Sequence, residues 1–90
     1  MQQNAHFPIT ESIHRLLLKA LDELLGQLLD HKPPVARFER LRLLLEALPL
    51  DTTEFGLAVN RLANARHYLG SGEFGAARYE LRLLRRSLEQ

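Results

Sequence analysis

The 90-residue chain reads as an all-α protein, a small antiparallel four-helix bundle, and three observations point there. Leucine, alanine, arginine and glutamate, the strong helix formers, dominate the composition. Apolar residues recur at spacings of three and four along four separate stretches. Proline or glycine punctuation at Pro33-Pro34, Pro49 and Gly70-Ser71-Gly72 divides those stretches, and no alternating strand pattern competes. The expected helices cover about 10–30, 34–48, 52–69 and 73–88. Every connection is short, so successive helices should be antiparallel neighbours.

Residues 1–9 read as a flexible lead, and residues 10–90 as a single bundle domain. Thr10 suits an N-cap, and Glu11 a first turn whose dipole favours an anion. From there Ile13, Leu17, Ala20, Leu21, Leu24 and Leu28 follow helical spacing. Leu16, Leu18, Leu25 and Leu29 widen the apolar arc to about 220°, taking about 100° per residue. A surface helix needs about half of that, so this helix should be central or covered by a partner.

Pro33-Pro34 stops the first helix, because the residue before each proline is pushed out of the helical region, and Pro34 suits the first turn of the second. Phe38, Leu41, Leu45 and Leu48 form that helix's main stripe, while Ala36, Leu43 and Ala47 form a weaker one on another side. Pro49 closes it. Asp51-Thr52-Thr53-Glu54 is a capping box for the third helix, whose inner face carries Phe55, Ala58, Val59, Leu62, Ala65 and Leu69. Gly70-Ser71-Gly72 turns the chain. The fourth helix has a stripe of Phe74, Ala77, Leu81, Leu84 and Leu88; Phe74 should plug the hairpin end, and Ala77 should let the helices approach.

Ala65, Tyr68, Gly72, Phe74, Ala77, Leu81 and Leu84 are placed as in a tetratricopeptide repeat, and residues 57–88 resemble a single such helical hairpin. The resemblance covers about one third of the chain. Arg61 stands where the family favours an aromatic, Asn64 where it favours leucine, and no proline follows the last helix. The first two helices show no second copy. The resemblance implies a module that binds other proteins.

The chemistry-bearing residues are sparse. With no cysteine, disulfides and thiolate metal sites are excluded, and a reducing, cytoplasmic setting is expected. His6, His14, His31 and His67 share no helical metal-ligand spacing, so no metal and no cofactor are expected. His14 should sit at the rim of the core. No base stands near a hydroxyl in a catalytic pattern, and Gly70-Ser71-Gly72 lacks the lysine of a phosphate loop, so the chain does not read as an enzyme. No signal peptide or membrane span is expected, since the start lacks a basic apolar leader and no apolar run is long enough.

Net charge is +1, with six Lys/Arg against seven Asp/Glu in residues 1–51 and six Arg against four Glu afterwards. Arg78, Arg82, Arg85 and Arg86 lie along one side of the last helix. They could follow a nucleic-acid backbone, or form a solvated face paired with Glu80 or Glu89. The stronger signal is surplus apolar surface. Leu18, Leu25, Leu29, Ala36, Leu43 and Ala47 are the candidate interface, for a homodimer or a partner chain. The expected function is protein–protein interaction without catalysis; the alternative is a small nucleic-acid-binding or regulatory protein.

Overall fold

The computed structural model describes residues 6–28 and 35–89, with side chains from Thr10 onward. Four helices follow in order: α1 (His6–Gln27), α2 (Val35–Ala47), α3 (Thr52–Gly70) and α4 (Phe74–Leu88). Their boundaries come from the sequence punctuation. Asp51 caps α3 by accepting from the Glu54 amide at 2.7 Å, while the Asp51 amide donates to the Glu54 carboxylate at 3.4 Å. Gly72 turns the chain into α4 with φ of 75°, a left-handed conformation that suits glycine. In that turn the Glu73 amide donates to the Tyr68 carbonyl at 2.8 Å.

Each helix packs against its neighbour in sequence, and α4 closes the ring on α1; the α1/α3 and α2/α4 diagonals do not approach. The helices alternate in direction. Arg37 near the start of α2 meets Glu23 near the end of α1, and His14 early in α1 meets Leu88 at the end of α4. The α3–α4 hairpin packs most closely, as the buried Ala65 and Ala77 allow. Leu17, Leu21, Leu24, Leu41, Leu45, Leu81 and Leu84 are wholly inside. Among the described residues no polar or charged side chain is buried, so the core is held by apolar burial, mostly of leucine with Phe38 among them.

The largest difference from expectation is the start of α1. Residues 6–9 already belong to the helix, so Thr10 is not its N-cap. Glu11 is then beyond the first turn and pairs with Arg15 on the surface. α2 ends at Ala47, with Leu48 in the bend before Pro49; Leu29, Pro33 and Pro34 lie outside the described residues. Phe74 does not plug the hairpin, since it is 39% exposed. Three residues before Ala77 it is turned about 60° off the core line, and at the first position of α4 it has no helix turn beyond it to pack under.

Candidate functional site

The two parts of the predicted apolar interface separate in the structure. On α1, Leu18 and Leu25 are half-buried and pack against the core. They share a flank with His14 and Asp22, both of which reach α4, so α1's wide apolar arc is largely spent inside the bundle. On α2, Ala36, Leu43 and Ala47 are all exposed, Leu43 at 65%. They project within about 40° of one another, opposite Phe38, Leu41 and Leu45, and point straight away from the core. The outer face of α2 is thus an apolar strip with no covering element among the described residues.

A second apolar feature, missed in the sequence, lies at one end of the bundle. There the first turns of α3 and the last turn of α4 face the Leu48-Pro49-Leu50 connection across a groove of about 620 Å³. Leu57 lines it and remains 60% exposed. Leu57 precedes the buried Ala58 by one residue and falls off the α3 stripe, the only signal the sequence offered. His14 stands at the groove's edge. Its Nε2–H donates to the Leu88 carbonyl at 2.5 Å, and since a carbonyl only accepts, the proton resides on Nε2. The last carbonyls of a helix lack intrahelical partners. His14 supplies one from α1 and, as expected, occupies the rim of the core.

The α4 arginines do lie on one side, but they are not four free cations. Arg85 makes a two-pronged contact to Asp22 of α1, at 2.6 and 3.1 Å, and also meets Glu89. The hydrogen bonds accepted by Asp22 do most to raise the pKa of Arg85 above its ordinary value; desolvation opposes them, and the charges of Asp22 and Glu89 with the hydrogen bond to Glu89 add to the rise. Arg78 is half-buried, its Nε occluded and without a hydrogen-bond partner among the described residues. Only Arg82 and Arg86 are exposed. Glu80 pairs across to Arg61 of α3 at 3.3 Å instead of with an α4 arginine. Asp22 is the partner that sequence reasoning missed; it lies 63 positions from Arg85, beyond any local spacing rule.

Among the described residues, no three or more His, Asp or Glu side chains converge as metal ligands. No described helix is long and apolar enough to cross a membrane. Comparison with protein-family models, with curated proteins and with solved structures finds no match.

Proposed function

We propose that this protein is a non-catalytic interaction module that docks another protein chain against the outer face of α2. The observation that carries the reading is Leu43, 65% exposed between Ala36 and Ala47 on the side opposite the core. Single exposed leucines are common, but a strip of three apolar positions along a helix otherwise rich in charge is an unpartnered face. Two alanines beside a leucine let a second backbone approach closely, so that the leucine can seat in a partner's groove. The resemblance of residues 57–88 to one tetratricopeptide hairpin supports the same class of function. The absence of cysteine fits a cytoplasmic setting.

The test is Leu43→Glu, compared with Leu57→Glu at the end groove. Both sites are exposed, so circular dichroism should show unchanged helix content in both variants. Association of the wild type should be lost in Leu43→Glu and kept in Leu57→Glu, whether read as self-association or as capture of a defined chain. Association that survives Leu43→Glu would place the docking face elsewhere.

A further inference from the structure

We infer that the chain covering the α2 face is a second copy of this protein, with the two α2 helices side by side and parallel. The inference rests on the α2 docking reading and adds the occupant and its orientation. The argument is the charge on the two shoulders of the apolar strip. Glu39 and Arg40 project about 50° to either side of Ala36, Leu43 and Ala47. Both are exposed, and neither has an ion-pair partner among the described residues. Arg40 is on the α1 side, the side from which Arg37 reaches Glu23. Glu39 is on the α3 side, beside a cleft it shares with Phe38, Val59 and Arg66.

Symmetry then selects the arrangement. A two-fold axis running along the helices makes the pair parallel and sets the α1-side shoulder of one copy across from the α3-side shoulder of the other. Glu39 then faces Arg40 of the second copy, twice, around a centre of Leu43 and the alanines. A two-fold axis perpendicular to the helices makes the pair antiparallel. That pairing sets like shoulders together, Arg40 against Arg40 and Glu39 against Glu39, and is disfavoured. The rest of each bundle lies behind α2, on the Phe38 side, so nothing obstructs the parallel pair. With α2 only about 20 Å long, the contact is small and the dimer weak and rapidly reversible.

Reciprocal charge variants test this. Glu39→Arg makes both shoulders basic, and Arg40→Glu makes both acidic. In sedimentation equilibrium from micromolar to millimolar protein, the wild type should form dimers, and each single variant should self-associate about tenfold or more weakly. An equimolar mixture of the two variants should recover the association, because each heterodimer again sets acid against base; this recovery also shows that both variants are folded. Single variants that dimerise like the wild type, or a mixture that associates no better than its components, would overturn the inference. So would a wild type that stays monomeric throughout. In that last case a defined hetero-partner lost on Leu43→Glu would leave the docking reading standing and remove only the second copy.

Discussion

A single methyl group distinguishes Ala77 from a glycine, and it lies where α3 and α4 pack together. Ala77 is wholly buried, while the adjacent Ala76 is half-buried on the next flank of α4. Ala77→Leu should cost about 1–3 kcal/mol through overpacking, and Ala76→Leu much less, as separate melting temperatures would show. Similar losses would mean that the α4 face is misassigned. The glycines of the hairpin differ in another way. A Cβ added at Gly70 or Gly72 meets nothing within 4 Å, so any cost is conformational and not steric crowding. Only Gly72 has positive φ. Gly72→Ala should therefore lower stability by about 1 kcal/mol, whereas Gly70→Ala, at the end of α3, should leave it unchanged or raise it slightly. At this scale the sequence is legible where the interaction is local. Ala77 and the Asp51–Glu54 cap follow from spacing, while Arg85–Asp22 and His14–Leu88 depend on two helices meeting and leave no local trace.

At the scale of elements, α4 shows how packing revises a pattern. Its apolar stripe is buried as its spacing implies, except for Phe74 at the unsupported end. Its arginine side, continuous in projection, is broken by Asp22. Replacing Arg78, Arg82 and Arg85 together with glutamine keeps helix propensity. Exposed ion pairs contribute about 0–1 kcal/mol, so the triple variant should fold with only a modest fall in melting temperature. The wild type should not retard duplex or single-stranded nucleic acid at about 50 mM salt. Retardation lost in the triple variant would restore the nucleic-acid alternative. α1 teaches the converse: its apolar arc is wider than a surface helix needs, and packing in the bundle takes up most of it, with Leu18 and Leu25 against the core.

For the whole molecule, the order and direction of the helices were legible, because proline, glycine and short connections leave an up-and-down bundle as the simple solution. Which helix faces would remain bare was not legible, since that depends on which neighbours meet. Close packing of α3 on α4 predicts an order of stability. Amides around Leu62, Ala65, Leu81 and Leu84 should exchange hydrogen most slowly, and those of residues 10–13, beyond the His14–Leu88 contact, much faster. Equal protection along α1 and α4 would contradict that order. The ring of helices also has a thermal asymmetry. Three seams carry an ion pair between helices: Arg37–Glu23, Arg61–Glu80 and Arg85–Asp22. Among the described residues the α2/α3 seam has none and joins through apolar contact beside a cleft of about 330 Å³. Apolar cohesion weakens on cooling, whereas charge pairing does not depend on it. Cold should therefore loosen α2 from α3 before any other seam opens, making the helix that presents Leu43 the first part of the molecule to respond to a chill.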